Sequence, residues 1–294
     1  MVKAESFSLE HIKKIRSESS IDTSILERSI FALALLEALV QVGMPFIFKG
    51  GTSLLLLLEK PRRLSTDIDI IVEPGTDVQH YLVEAAKIYP FQKMEQQIRK
   101  GKNNIEKSHF KFTYVSPVQD APFYILLDIV YENNHYDTLV KKEIKHEFLQ
   151  TEEPYIEVSM PSINCILGDK MTAFAPHTTG ILLRNEKELE IIKQLYDVAT
   201  LIDAFDSFDD AYDSYMTTVS VELSYRGLTI SFREVLQDTI DAASCIASRG
   251  KLVSGDYSYY LAGIRGIANH IYGERFNAEK AVLLACKVMY FAAC

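Results

Sequence analysis

The chain has 294 residues and a formal net charge of −9, a length that allows a full hydrophobic core and predicts two domains. The acidic balance argues against a general nucleic-acid coat protein, because the affinity of such proteins rests on neutralising phosphates. No apolar run is long enough to span a bilayer, the first residues lack the apolar core of a signal peptide, and the four cysteines form no Cys-x-x-Cys pair. We therefore expect a cytoplasmic protein with reduced thiols, no membrane partner and no zinc site.

The first half of the chain is predicted to mix helices with strands. Helical periodicity begins near residue 8 and again at 23–42, a short strand follows at 46–49, and a helix then runs to about residue 59. Further on we predict a strand at 67–72, a helix at 77–89, a long excursion or hairpin at 91–108, and strands at 109–115, 122–131 and 154–159. This order predicts a mixed sheet with helices on one side.

The chain after Pro161 carries helical patterns and no convincing strand. A capping box at Ser231 and Glu234 and glycines between the periodic segments mark where helices begin and end. Helices are predicted at 162–175, 186–205, 209–224, 231–249, 256–271 and 277–292. The expected fold is therefore α+β, with a mixed-sheet domain at residues 1–178 followed by an α-helical bundle at residues 179–294.

A double-glycine turn separates the strand at 46–49 from the helix that follows it. Gly50 and Gly51 permit a sharp turn and let backbone N–H groups approach an anion, which a Cβ atom would obstruct. The positive N-terminal end of the next helix adds to this attraction. The turn is therefore a candidate phosphate-binding site.

Three aspartates are candidates for a metal centre. Asp67 and Asp69 are two residues apart on an extended segment, so their side chains project from the same face. Asp128 interrupts an apolar strand, where an unpaired carboxylate would be costly. Nucleotidyl transfer at two metals needs several carboxylates converging on ions about 3.5–4 Å apart. No histidine has a partner at metal-ligand spacing, so His109 and His177 are expected to be solvated or structural.

Other readings of the acids stay open at this point. Asp128 could face solvent at a strand end. A haloacid-dehalogenase-type phosphatase carries its acids after a hydrophobic strand, whereas here the strand follows them. A glycosyltransferase also binds a metal–nucleotide through Asp-x-Asp, but it does not require a Gly-Gly helix start upstream. The combination of the turn with the three acids favours metal-dependent nucleotidyl transfer.

The order of these motifs resembles the nucleotidyltransferase superfamily and, more narrowly, the AbiEii-type nucleotidyltransferase toxins. The superfamily pattern of a glycine turn, a helix, an acid-x-acid strand and a later third acid is matched at residues 49–53, 67–70 and 128. The toxin family adds an Arg and a Ser or Thr before the acids, matched by Arg63, Ser65 and Thr66. Its two downstream motifs resemble residues 167–173 and 193–198, so the resemblance spans about residues 46–205.

The resemblance implies a role for each matched residue. Asp67 and Asp69 would bind two Mg²⁺ ions, or Mn²⁺ in their place, and Asp128 would be a further metal ligand or the general base. Asp197 would orient Lys170 or contact the base or ribose. The nucleoside triphosphate would be held by Gly50, Gly51, Thr52, Ser53, Arg63, Ser65 and Lys170.

The same resemblance implies the toxin of a toxin–antitoxin or abortive-infection pair. Its acceptor would be the 3′ end of tRNA, and its antitoxin would be a separate protein. In one alternative, the same chemistry transfers the nucleotide to a protein hydroxyl, because an acidic net charge does not indicate RNA binding. Another alternative is a non-catalytic nucleotide-binding or interaction module.

Overall fold

The structure is a computed structural model and describes residues 1–19, 21–98, 106–252 and 256–294. The chain divides into two compact units, neither of which is continuous in sequence. Unit 1 consists of Met1–Asn134, Leu139–Pro161 and Asn269–Gly273, and unit 2 consists of His135–Thr138, Ser162–Ala268 and Glu274–Cys294. The domain boundary at residue 178 stays a prediction.

Unit 1 contains the strands and the first four helices. In chain order these are α1 (Leu9–Ser19), α2 (Thr23–Gln41), β1 (Ile47–Lys49), α3 (Gly50–Leu57), β2 (Asp67–Val72), α4 (Gln79–Ala85), β3 (Phe91–Gln97), β4 (Lys107–Ser116), β5 (Ala121–Tyr131), β6 (Leu139–Glu143) and β7 (Glu157–Pro161). Unit 2 is helical, with α5 (Ile163–Ala173), α6 (Glu188–Ile202), α7 (Phe208–Arg226), α8 (Phe232–Ala247), α9 (Tyr257–Ile267) and α10 (Ala278–Ala293). Among its described residues after Pro161 the chain has no strand, as predicted.

The main sheet of unit 1 is mixed, with the order β1-β2-β5-β4-β3 across its described strands. Strands β2 and β5 are parallel, whereas β1, β4 and β3 pair antiparallel with their neighbours. Strands β6 and β7 form a separate antiparallel pair. The predicted α+β fold, with a mixed sheet, flanking helices and a helical C-terminal part, is confirmed.

One face of this sheet is buried in the core of unit 1. Ile68, Ile70, Leu127 and Ile129 lie at alternate positions of β2 and β5 and are fully buried, as expected for strands with one covered face, and Asp67, Asp69 and Asp128 lie next to them. Helix α2 packs against these two strands. The apolar residues of β2 and β5 thereby leave the intervening aspartates on the opposite face.

Helix α2 also anchors the far end of the β4–β5 hairpin through a buried carboxylate. Glu27 is 3% exposed and accepts hydrogen bonds from the Tyr114 hydroxyl at 2.9 Å, the Ser116 hydroxyl at 2.9 Å and the Val118 amide at 3.3 Å. Burial, together with the charge of Glu27, raises the pKa of Tyr114 far above its usual range. The hairpin is therefore tied to α2 by a fully hydrogen-bonded acid rather than by apolar contacts alone.

The sequence analysis left one segment of unit 1 open and missed one strand. The segment at 91–108, predicted as a long excursion or hairpin, contains a strand, β3, that pairs antiparallel with β4, while residues 99–105 lie outside the described residues. Strand β6 was not expected, because Lys141 and Lys142 interrupt its apolar alternation. It is nevertheless held by complete pairing with β7, from Leu139 opposite Pro161 onward.

A short segment from the C-terminal half returns to unit 1. The Leu64 amide donates to the His270 carbonyl at 2.7 Å, and the Tyr272 amide donates to the Arg62 carbonyl at 2.9 Å. Arg63 and Ile271 form the β-bridge between these two bonds. The loop that leads into β2 is thus paired with residues 269–273.

Within the described ranges, no helix combines the length and the apolar character needed to cross a membrane.

Candidate active site

A row of half-buried polar residues crosses, at one level, the face of the sheet opposite its buried apolar residues. The strand register places Lys49 opposite Asp69, Asp69 opposite Asp128, Asp128 opposite His109, and His109 opposite Gln97. Residues directly opposite one another on neighbouring strands project from the same face, and the strands lie about 4.8 Å apart. We call these five residues the polar row. It brings the predicted metal ligands Asp69 and Asp128 side by side.

The third predicted ligand, Asp67, lies one pleat away from Asp69 on the same face of β2. The Arg28 guanidinium, from α2, lies 3.3 Å from Asp67 Oδ1, and the two side chains are 26% and 43% exposed. A partly exposed pair of this kind contributes on the order of 0–1 kcal/mol. Arg28 therefore balances the charge of an aspartate that solvent can still reach.

Gly50 lies directly against Asp69. Its φ is +79°, in the left-handed region that L side chains rarely adopt, and a Cβ atom at this position would overlap the Asp69 carboxylate. The turn before α3 can therefore approach the acid only because residue 50 has no side chain. The structure thus brings together the predicted phosphate turn and one of the predicted metal ligands.

Gly51 faces the two polar residues that precede the acids. A Cβ atom on Gly51 would lie 2.6 Å from an Arg63 guanidinium nitrogen and 3.0 Å from Ser65 Oγ. Arg63 is 6% exposed, and its other terminal nitrogen donates to the Leu64 carbonyl at 3.1 Å. The buried Arg63 guanidinium beside the turn adds a positive charge to the candidate phosphate-binding site, in addition to the positive end of α3.

The Thr52 and Ser53 side chains point away from solvent. Both residues are fully buried. The Thr52 hydroxyl donates to the Asp67 carbonyl, and the Ser53 hydroxyl donates to the Gly50 carbonyl at 2.7 Å. These bonds join the first turn of α3 to the start of β2. A contact between phosphate and either residue stays a prediction, for which their backbone amides are the available donors.

Lys170 and Asp197 meet inside unit 2. Lys170 Nζ, on α5, lies 3.1 Å from Asp197 Oδ2 and donates to Gln194 Oε1 at 2.9 Å, both on α6. The Lys170 and Asp197 side chains are 9% and 1% exposed. A charge as buried as Asp197 requires a partner, and Lys170 supplies it. The sequence prediction that Asp197 orients Lys170 matches this contact, while the role of the pair in catalysis stays a prediction.

His109 contacts the candidate ligand Asp128, and the sequence analysis did not predict this contact. Its Nδ1 lies 2.7 Å from Asp128 Oδ1, and the two residues are direct partners across β4 and β5. The position of the hairpin turn in the sequence could have predicted this pair. Ser116 pairs with Ala121, and seven residues outward on each strand (116 − 7 = 109, 121 + 7 = 128) lie His109 and Asp128.

The donor set of the polar face suits a hard divalent cation. Within the described residues, no three His, Cys, Asp or Glu side chains are already gathered in a group that could hold an ion. Mg²⁺ is commonly held by one or two carboxylates together with the phosphates of a substrate, rather than by a complete protein cage. Asp67, Asp69 and Asp128 on one face, beside a phosphate-accessible turn, fit that mode of binding.

Comparisons with known proteins address the family and the fold of the chain. The sequence model of the family described as "Nucleotidyl transferase AbiEii toxin, Type IV TA system" matches residues 34–262. Among solved structures, the chain is similar to JHP933 from Helicobacter pylori, with 13% identity, a TM-score of 0.51 and 91% of each chain covered. A second H. pylori chain, described provisionally as a nucleotidyltransferase, shows 14% identity, a TM-score of 0.51 and coverage of 91% of this chain and 94% of that chain. These structures establish a shared fold. No protein of curated function matches the chain.

Proposed function

The chain belongs to the AbiEii nucleotidyl transferase toxin family, and from this premise we propose that it transfers a nucleoside monophosphate from an NTP to the 3′ end of tRNA. The observation that carries the proposal is the placement of Asp67, Asp69 and Asp128 on one face of the sheet. Gly50 lies against Asp69, one of these three acids. Carboxylates beside a glycine turn at a helix start provide the two halves of a metal–triphosphate site.

In the proposed reaction, the acceptor hydroxyl oxygen attacks the α-phosphorus of the NTP. The bond between that phosphorus and the oxygen bridging to the β-phosphate breaks, and pyrophosphate leaves. Asp67 and Asp69 would hold Mg²⁺, which when bound neutralises phosphate charge and activates the acceptor hydroxyl. Asp128 would accept the hydroxyl proton or complete the ligand set.

The triphosphate would lie at the start of α3. The backbone amides of Gly50 and Gly51, with those of Thr52 and Ser53, would donate to phosphate oxygens, helped by the positive end of the helix. Arg63 would add a guanidinium beside the turn, with Ser65 next to it. In unit 2, Lys170 would act as a further cation toward phosphate, oriented by Asp197.

The direct test is incubation of the protein with each labelled NTP, Mg²⁺ and total tRNA. We expect label in the tRNA, lost by 3′-end blocking and abolished by Asp67→Asn and Asp69→Asn. Asp77→Asn is a matched control, because Asp77 lies in an exposed turn of the same unit and shares the carboxylate chemistry. Labelling that persists in both Asp67→Asn and Asp69→Asn would refute the assignment of the acids.

The same assay decides between two acceptors. The net charge of −9 does not itself indicate RNA binding; with a protein acceptor instead, the label would appear in protein hydroxyls rather than in tRNA. If calorimetry detected no Mg²⁺-dependent NTP binding, the non-catalytic alternative would replace both enzymatic proposals.

Membership of a type IV toxin family leads us to propose a separate antitoxin protein as partner. We also propose that the protein acts in the cytoplasm, where NTP and tRNA are both present. Expression of the parent chain is expected to arrest growth, and co-expression of a protein encoded beside it is expected to relieve the arrest. Growth arrest of equal strength from Asp67→Asn would contradict a toxic activity at this site.

A further inference from the structure

His109 and Asp128 form a hydrogen-bonded pair at the centre of the polar row. The 2.7 Å between His109 Nδ1 and Asp128 Oδ1 is the length expected when one partner of a hydrogen bond is charged. The two side chains are 18% and 31% exposed, so water only partly screens the contact. Both residues lie on interior strands of the sheet, and their backbones are paired in register. The contact is therefore held by the sheet itself.

The direction of this hydrogen bond follows from the chemistry of its partners. An ionised carboxylate can only accept, and with Asp128 in that state the hydrogen of this bond lies on His109 Nδ1. The bond engages Oδ1 of Asp128.

Asp128 needs such a restraint because of its other neighbour. Asp69 lies directly opposite Asp128 on β2, and two carboxylates in this relation repel each other. The terminal torsion of an aspartate is broad and weakly restrained. A donor on the β4 side holds one oxygen of the Asp128 carboxylate and thereby restrains this rotation.

We propose that His109 is a positioning residue of the nucleotidyl-transfer site, which fixes the orientation of the Asp128 carboxylate by donating from Nδ1. Its effect on rate rests on the proposed function, whereas the hydrogen bond itself can be measured in the resting protein. Removing a group that orients a catalytic or metal-binding carboxylate lowers the activity by about 10–100-fold.

The kinetic test compares replacements that differ in their donor. His109→Phe keeps a ring without a donor and is expected to lower kcat by about 10–100-fold with KM for the NTP changed less than about two-fold, the signature of an interaction used in the transition state. His109→Asn places an amide N–H near the position of Nδ1 and is expected to restore most of the rate. If His109→Phe does not fold, His109→Gln, whose amide lies one methylene further out, is expected to show the same loss.

The resting protein gives a readout that does not depend on activity. Long-range ¹H–¹⁵N spectra of ¹⁵N-histidine-labelled protein, recorded without nucleotide or Mg²⁺, should show His109 protonated at Nδ1, and Asp128→Ala should change that signal. An Nε2–H tautomer, or a kcat of His109→Phe or His109→Gln equal to that of the parent, would overturn the inference. Failure of the proposed function would look different, since the parent protein would then label no acceptor.

Discussion

The contact between Gly50 and Asp69 leads to a quantitative prediction for Gly50→Ala. The new methyl group would lie 2.7 Å from the Asp69 Cγ atom and 2.8 Å from its Cβ atom. Carbon atoms in ordinary contact are about 3.5–4.0 Å apart, so the side chain of Asp69 would have to retreat by about 1 Å. The neighbouring atoms belong to a short side chain on a central strand, which cannot move far without disturbing the sheet.

Two costs follow, and a control separates them. An alanine at a φ of +79° costs roughly 1–2 kcal/mol of unfolding free energy. The displacement of Asp69 by about 1 Å is expected to lower kcat on the order of 100-fold, or about 2.7 kcal/mol of activation free energy. Gly75 has a φ of +83° and no atom within 4 Å of the position that a methyl group would take, so Gly75→Ala should show the first cost alone.

The assay measures urea unfolding and NTP-dependent labelling of tRNA for both variants beside the parent protein. We expect both variants to lose unfolding free energy through the backbone cost, Gly50→Ala to lose more because its methyl group overlaps Asp69, and only Gly50→Ala to lose activity. Equal activities in the two variants would refute the reasoning, because they would show that the approach of the turn to Asp69 does not matter to the reaction.

Three further predictions concern stability. Tyr114→Phe removes a donor to the buried carboxylate of α2 and should lower the unfolding free energy by about 1.5–3 kcal/mol in urea titrations; a loss below about 0.5 kcal/mol would contradict that role. Burial lowers the pKa of His146 to about 4, so the unfolded chain binds more protons between about pH 4 and pH 6.5, and stability should fall as the pH decreases through that window. His146→Gln should flatten this dependence, and an unchanged slope would exclude His146 as its source. His177 behaves in the opposite sense: burial opposes its charge, but the hydrogen bonds and charges of Asp238 and Asp256 raise its pKa overall. Its contribution should therefore be complete below about pH 6.5 and be lost as the pH rises through the folded-state pKa, and His177→Asn should remove that loss in urea titrations at about pH 5.5 and about pH 8.

The parts of the fold that local chemistry specifies could be predicted from the sequence. The strand at 67–72 was expected after a Pro-Arg-Arg loop, and β2 has those bounds. The turn at Gly50 was expected from the need for a residue without a side chain, and its φ is positive. Both predictions depend on residues close together in the chain.

The features that were missed depend on register and on pairing. His109 was expected to be solvated or structural, because a residue on a single strand does not reveal which residue lies across from it. To predict its contact with Asp128, the position of the hairpin turn must be known without an error of even one residue. A shift of the strand pairing by one position would move the His109 side chain to the other face of the sheet. Strand β6 depends on its partner β7 in the same way, because its own lysines favour an exposed loop.

The pairing between residues 62–64 and residues 269–273 affects how the nascent chain folds, because the two segments are synthesised at different times. The partners of Arg62 and Leu64 are synthesised roughly two hundred positions later (270 − 64 = 206). Because domains fold largely as they emerge during synthesis, the three aspartates and the glycine turn can fold well before these partners exist. The loop that contains Arg63 cannot form its backbone hydrogen bonds until residues 269–273 have been made.

Helices α5 to α9 are all translated between the last strand of unit 1 and residues 269–273, so this loop obtains its backbone partners only after most of unit 2 has been made. A fragment that stops before residue 269 would contain Asp67, Asp69 and Asp128 and yet lack the bonds that hold the loop of the buried guanidinium beside the phosphate turn. In a nascent chain, the completion of this loop is therefore timed by the arrival of residues 269–273 rather than by the formation of the sheet.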